Sequence, residues 1–258
     1  IRWLKHSIGL VNEGFHSDCS CILCLNPMRT GDPLPFLCID CFAHLPSHTD
    51  YCHSCGEPFS EPAVGLCENC CNQPPAFDQT HYSYLFTPPL DGWIRLAKDH
   101  KDQAWILKLT DLMKLCPPPA DWISNIDAVV FVPGSRKRLL LRGFNPGEDI
   151  ARAMAKHLSK PVLTRAIERA KHSDQRGKTA TDRKQNLKQS LLAGNLRLDG
   201  QHILLIDDVM TTSATANRVA EILRQQGAAK VSNWVLARTP GPGFQKGISL
   251  SAKNLVKK

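Results

Sequence analysis

Beyond residue 75, short aliphatic runs alternate with stretches of helical spacing. Ala128 to Val132 (AVVFV) and Ile203 to Ile206 (ILLI) are continuous apolar runs, which read as strands buried on both faces. Val231 to Leu236 reads as a third strand, and Pro161 to Leu163 as a shorter one. Between them lie three helical stretches. Residues 90 to 115 end at the Pro117-Pro118-Pro119 break. Residues 146 to 158 open on Pro146. Residues 214 to 226 are stopped by Gly227. Strands alternating with helices predict an α/β fold with a mostly parallel, doubly wound sheet. No repeat of solenoid length interrupts this pattern. At the start of the chain, Trp3, Leu4, Ile8 and Val11 would share one face of a short amphipathic helix.

The first 75 residues have a different composition. Ten of the eleven cysteines lie there, between Cys19 and Cys71, and only Cys116 follows. Eight form four pairs of one spacing: Cys21/Cys24, Cys38/Cys41, Cys52/Cys55 and Cys67/Cys70. A two-residue gap lets a tight turn aim both sulfurs at one ion, and two such turns make a tetrahedral thiolate cage suited to Zn²⁺. Two structural zinc ions are expected, and complete thiolate sets leave no open position for catalysis. Sequential pairing would join Cys21, Cys24, Cys38 and Cys41, then Cys52, Cys55, Cys67 and Cys70. An interleaved pairing satisfies the spacing equally. Gly56, directly after Cys55, suits the left-handed turn of such a knuckle. Cys19, Cys71 and Cys116 read as bystanders, and His44, His48, His53 and His81 as unneeded substitutes. The expected organisation is a metal-dependent module over 1–75 and an α/β domain over 76–258, with a loose tail from about residue 241.

The formal net charge of +8 suggests an anionic partner. Eight thiolates on two divalent ions would reduce it to about +4, so charge alone says little. No run approaches the ~20 apolar residues of a membrane span, and the start lacks the pattern of a secretion signal. The chain reads as cytoplasmic.

The stretch 203–215, ILLIDDVMTTSAT, carries the chemistry. Asp207 and Asp208 end a buried strand, at the edge of a parallel sheet where ligands bind in such folds. Thr211, Thr212, Ser213, Ala214 and Thr215 then lead into a helix whose free amides and positive dipole end suit a phosphate. Carboxylates beside a phosphate cradle would repel an anion unless they hold sugar hydroxyls, or Mg²⁺ brought by a sugar pyrophosphate. The implied ligand is a phosphorylated ribose.

This stretch resembles the signature of the type I phosphoribosyltransferases, which bind phosphoribosyl pyrophosphate. Cysteine ribbons ahead of such a domain resemble the ComF family (GntX-like), associated with DNA uptake in natural competence. Further stretches agree. Val132-Pro133 followed by Arg142-Gly143-Phe144-Asn145 is similar to the family's pyrophosphate-loop stretch. Gln175-Arg176-Gly177, Arg183 and Asn186-Leu187 resemble another segment, and Val235 to Pro240 (VLARTP) ends the match. The likeness runs from about residue 20 to 240. Ser213 stands where the family usually has Gly, Gly134-Ser135 replaces a second Val-Pro, and Pro146 replaces a Gln. Of a helical K-Y-x-G-D stretch, Lys98-Asp99-His100 survives.

The resemblance implies a phosphoribosyltransferase-like sheet preceded by a double zinc ribbon. It implies ribose held by Asp207 and Asp208, a 5′-phosphate held by residues 211–215, and Mg²⁺-pyrophosphate near Pro133, Gly134, Ser135 and Arg142. It also implies single-stranded DNA and other cytosolic competence proteins, such as an uptake helicase or a recombination mediator, as partners. Two basic clusters are candidates for the nucleic acid: Arg136, Lys137 and Arg138, and Lys178, Arg183 and Lys184. The second lies in the polar segment 171–190, which reads equally as a solvated loop or as a hood over the pyrophosphate. Three functions stay open: a binding protein of DNA uptake, an active phosphoribosyltransferase, and an adaptor with a vestigial site. Arg176-Gly177-Lys178-Thr179 is not a P-loop, since His172 stands where the first Gly belongs. Trp93, Trp105, Trp122 and Trp234 read as core or interface, and His100 and His157 have no motif around them.

Overall fold

The computed structural model describes residues 20–47, 50–61, 63–99, 102–170, 190–241 and 244, without the side chains of Lys137 and Arg138. The expected N-terminal helix, Cys19, His48, His100, the segment from Lys171 to 189 with Lys178, Arg183 and Lys184, and most of the expected tail lie outside them. The chain divides into two compact units, Ile1–Leu45 and Pro46–Lys258.

In the smaller unit, Cys21 and Cys24 sit on a turn closed by Leu25 N to Cys21 O (2.9 Å), with Ser20 bridged to Pro27. Cys38 caps helix α1 (Ile39–Ala43), where Cys41 lies on the first turn. Leu34, Phe36, Leu37 and Leu45 are buried, a small core that needs a further staple in so short a stretch.

The larger unit begins with the same device. Gly56 N closes on Cys52 O at 2.8 Å, Tyr51 bridges to Pro58, and Cys67 stands at the start of α2 (Glu68–Asn72). The second cysteine group therefore belongs to the unit that holds the sheet, although composition changes only near residue 75. Contacts explain the difference. Thr80 N donates to His53 O at 2.9 Å, and Cys52, Cys55 and Cys70 join the core of the sheet.

Strands β1 (Gln79–Leu85), β2 (Ala128–Phe131), β5 (His202–Met210) and β6 (Lys230–Arg238) form one sheet in the order β1-β6-β5-β2, all neighbours parallel. Helices α3 (Leu90–Asp99), α4 (Gln103–Lys114), α5 (Ala120–Ser124), α6 (Arg136–Arg142), α7 (Pro146–Leu158) and α8 (Ala214–Gln225) accompany it. Side chains alternate along each strand. Ile203, Leu205, Val231 and Val235 pack with Ala216, Val219, Ala220, Ile222 and Leu223 of α8. The intervening Leu204, Ile206, Trp234 and Leu236 are equally buried, and α7 and α4 pack against these strands. Both faces are covered, which is why the strands read as unbroken apolar runs.

The helical expectation for 90–115 resolves into α3 and α4, because Asp102 caps a new helix by accepting from Ala104 N at 2.8 Å. The strand expected at Pro161–Leu163 contributes one parallel bridge, Val129 to Val162, at the margin of β2. A small antiparallel pair, β3 (Ile167–Arg169) and β4 (Leu191–Ala193), flanks the segment 171–189. Trp93 and Trp234 are core residues, and Trp105 and Trp122 are half-buried.

Candidate functional site

β5 continues past its aliphatic run, so Asp207 and Asp208 are strand residues at the carboxyl edge of the sheet. Each carboxylate accepts from the next backbone amide, Asp207 Oδ1 from Asp208 N (2.9 Å) and Asp208 Oδ1 from Val209 N (2.7 Å). Lys98, near the end of α3, reaches Asp208 Oδ2 at 2.5 Å. Asp207 faces the start of α7. A Cβ on Gly147 would stand 2.9 Å from Asp207 Oδ1, so glycine lets the positive end of that helix approach the carboxylate. Burial, and next the charge on Asp208, push Asp207 up to about 7, against the pull of Lys98. The pair is therefore poised to release a proton when a cation or sugar hydroxyls arrive near neutral pH.

The strand next to β5 brings the second half of the site. Phe131 of β2 is in register with Ile206, so the chain leaving β2 emerges beside Asp207. Pro133, Gly134 and Ser135 follow and lead into α6, with Ser135 buried. Asn145 Nδ2 donates to Val132 O at 3.0 Å and closes the base of this excursion. Arg169 Nε donates to Pro133 O at 3.0 Å, which ties β3 to the same loop. Arg136 is exposed and Arg142 half-buried, at the two ends of α6. Between them Leu140 and Leu141 are exposed, so this basic helix also presents an apolar surface.

Beyond Asp208 the loop turns quickly into α8. Thr211 and Thr212 are exposed, and Ser213, Ala214 and Thr215 are half-buried. Ser213 is the N-cap of α8, at φ −70 and ψ 2, and its hydroxyl makes no capping bond. A serine fits this backbone without strain, since φ is negative. The loop amides and the uncommitted hydroxyl suit an anion, and the two carboxylates beside them suit a cation or a diol. One sheet edge thus gathers the acid pair, the small-residue loop and the Pro133–Ser135 loop, while Arg142 stands at the far end of α6.

Comparison with known proteins gives this arrangement a family. Competence protein F of Haemophilus influenzae is 32% identical over 209 residues, 78% of this chain and 90% of its own length. The chain belongs to the ComF family. DNA utilization protein YhgH of Escherichia coli K12 is 28% identical over 223 residues, covering 85% of the chain and 96% of that protein. Within the ComF chain, residues 143–247 match the phosphoribosyl transferase domain model. Adenine phosphoribosyltransferase of Rhodococcus jostii is 30% identical over 120 residues, 46% of this chain and 58% of that enzyme. A crystal structure of an adenine phosphoribosyltransferase aligns at TM-score 0.37 and 19% identity, over 57% of the chain and 76% of its own.

The cysteine ribbons of the ComF chain pair sequentially. Cys21, Cys24, Cys38 and Cys41 form one group and Cys52, Cys55, Cys67 and Cys70 the other, with the sulfurs of each within 4.8 Å of one another. Cys24 and Cys38 Sγ lie 3.8 Å apart, and Cys55 and Cys67 Sγ 3.6 Å. A tetrahedron of sulfurs about 2.3 Å from a zinc ion has edges of about 3.8 Å, so both groups fit one ion each. His44 and His81 are engaged elsewhere, with Asp40 O and with Tyr51 and Cys116.

Gly147 and Arg169 are the site neighbours to which no reading of the sequence pointed. Lys98, of the surviving Lys98-Asp99-His100 stretch, is placed by its ion pair with Asp208 beside the acid pair. Asn145 ends the quoted R-G-F-N stretch, and Gly147 stands two residues beyond it. Arg169 carries no local signal at all.

Proposed function

We propose that this ComF chain binds phosphoribosyl pyrophosphate with Mg²⁺ at the carboxyl edge of the sheet and contacts single-stranded DNA during DNA uptake. The observation that carries the first part is the acid pair of β5, steadied by Lys98 and by the start of α7, directly before a loop whose N-cap hydroxyl is uncommitted. Asp207 and Asp208 would hold the ribose hydroxyls, and residues 211–215 the 5′-phosphate. Pro133, Gly134, Ser135 and Arg142 would border the pyrophosphate. Bound Mg²⁺ supplies positive charge between pyrophosphate and protein. Two zinc ions fill the cysteine groups as structural metals.

The relatives' names, Competence protein F and DNA utilization protein, support the uptake role. So do the basic ends of α6, Arg136 and Arg142, with Lys137 and Arg138 between them and Lys178, Arg183 and Lys184 in the segment after β3. The proposed setting is the cytoplasm, with an uptake helicase or recombination mediator as protein partner. Among the described residues no helix is long and apolar enough to cross a membrane.

A second reading is an active phosphoribosyltransferase, favoured by the intact acid pair and the matched domain model. Catalysis would then be positioning and charge stabilisation. Calorimetric titration of the zinc-loaded protein with phosphoribosyl pyrophosphate and Mg²⁺, followed by a pyrophosphate-release assay with a panel of bases, separates the cases. Binding without release supports the proposal. Binding with release makes the chain an enzyme, and no binding makes it an adaptor. Single-stranded DNA affinity should fall steeply with salt as counterions are released, and no binding at low salt ends the DNA part.

A further inference from the structure

Arg238, the last residue of β6, is the most enclosed cation among the described residues, with 4% of its side chain exposed. A charge so placed needs partners on every side. Besides Thr239 O next in the chain, its guanidinium finds them in two places that the sequence keeps far apart. Nη2 reaches Glu57 Oε2 at 2.6 Å and Nε reaches Cys55 O at 3.3 Å. Both belong to the knuckle of the second cysteine group. Nη1 reaches Thr211 O at 2.6 Å and Met210 O at 3.3 Å, the first carbonyls of the small-residue loop. The planar fork of arginine holds these four, with Thr239 O beside them, in one fixed geometry, which lysine could not reproduce.

The knuckle side of this junction is part of the turn that carries two cysteines of the second group. Cys52 N donates to Glu57 O at 2.8 Å, so Glu57 is the closing residue of the turn that carries Cys52 and Cys55. Its other carboxylate oxygen accepts from Gly241 N at 2.7 Å, and a Cβ on Gly241 would stand 2.5 Å from it. On the loop side, Thr239 N donates to Met210 O at 2.9 Å. Glu57, Arg238 and residues 210–211 are therefore one connected frame, from cysteine ligand to anion loop.

We infer that metal in the second cysteine group sets the conformation of the 210–215 loop through Glu57 and Arg238, making Arg238 a positioning residue and the cage a switch on ligand binding. The ligand half of this inference rests on the proposed phosphoribosyl pyrophosphate site, and the conformational half does not. Loss of the ion frees the knuckle, removes Cys55 O and Glu57 from the guanidinium, and releases the carbonyls of Met210 and Thr211. Oxidation or chelation of the cage would then weaken anion binding at the loop without touching the acid pair.

Hydrogen exchange of the full-length, zinc-loaded protein tests this without any ligand. Removing zinc from the wild type should speed exchange across 207–217 by about tenfold or more, with 203–206 as the reference for global opening. In Arg238→Lys the loop should exchange fast already with zinc bound, and zinc removal should add less than about twofold. Should metal removal open the whole sheet, Glu57→Gln with both zinc ions retained carries the test, and its loop should exchange several-fold faster than the wild type. Loop exchange that ignores both zinc and Glu57→Gln overturns the inference. Titration with phosphoribosyl pyrophosphate adds the ligand readout. If the wild type does not bind it, the proposed function fails, and the exchange result still decides the coupling.

Discussion

The two cysteine groups are near copies in local design and differ in what they are built into. Each places its first pair on a turn closed by a backbone bond from the residue after the second cysteine, and its second pair at the start of a short helix. The first draws its core from Leu34, Phe36, Leu37 and Leu45 of its own unit. The second is part of the core of the sheet and is wired through Glu57 and Arg238 to the loop beside the acid pair. One spacing of cysteines thus serves two purposes. The first group staples a segment too short to fold on apolar burial alone. The second is hydrogen-bonded, through Glu57 and Arg238, to the loop beside the acid pair.

That difference breaks most sharply under loss of one cage at a time. Structural zinc sites contribute folding free energy outright, about 10 kcal/mol or more in isolated fingers. Cys24→Ser should lose one zinc ion and raise hydrogen exchange across 20–45 while the sheet strands stay protected. Cys67→Ser should also lose one ion, but it should raise exchange in β1, in β6 and at 207–217. Sheet protection lost equally in both variants would abolish the distinction. The next effect is smaller. Arg238→Met leaves Glu57 with no cation beside it, only Gly241 N, and strips the loop carbonyls of a donor, which should cost about 3 kcal/mol by denaturant unfolding with zinc content unchanged. A cost near zero would mean that the junction is ornamental.

The acid pair gives the comparison its chemical readout. Because burial and Asp208 raise Asp207 to about 7, the folded protein holds a proton there that the unfolded chain releases near pH 4. Stability contributed by this group is thus present at low pH and declines as pH rises from about 4 to 7. Ligand binding that needs the ionised pair runs the other way, and affinity for Mg²⁺-phosphoribosyl pyrophosphate should rise by about tenfold between pH 6 and 8. Lys98→Met removes the cation that opposes the shift and should move the midpoint of this rise upward. The double change Asp207→Ala and Asp208→Ala should abolish binding and keep both zinc ions. Unchanged affinity in the double variant would remove the proposed site.

How much of this was legible in the sequence depended on how local the signal was. The ILLIDD run declared both a buried strand and its acidic end, because a strand covered on both faces must be apolar throughout. The cysteine spacing declared the cages for a similar reason, since two-residue gaps are set by the knuckle itself. β1 was not read from QTHYSYL, although most of it is buried. Its Thr80, Ser83 and His81 are satisfied by partners far along the chain, Asn233, Trp234 and Cys116, which no window shows. Arg238 was visible only as the tail of a family stretch, for the same reason. Its partners lie 27 and 181 residues away. What stayed hidden was the polar content of the core, whose meaning is tertiary.

The smallest expected effect sharpens the comparison within the knuckles themselves. At the position after the second cysteine of the turn, the second group has Gly56 at φ 69 and the first has Leu25 at φ 63. A left-handed conformation costs a residue with a Cβ roughly 1–2 kcal/mol, and Leu25 bears that cost while 75% exposed. Leu25→Gly relieves the strain but adds freedom to the unfolded chain, so the net gain should be about 0.5 kcal/mol. The reverse change, Gly56→Ala, meets both penalties. The backbone is left-handed, and its Cβ would lie 3.0 Å from Thr80 Cγ2 on the sheet. It should destabilise the larger unit by about 1–2 kcal/mol. Thermal unfolding of the two variants, each zinc-loaded, should therefore move in opposite directions. Equal and opposite shifts would point to backbone strain alone. A larger loss at Gly56 would report the extra contact by which the second knuckle leans on Thr80 of β1.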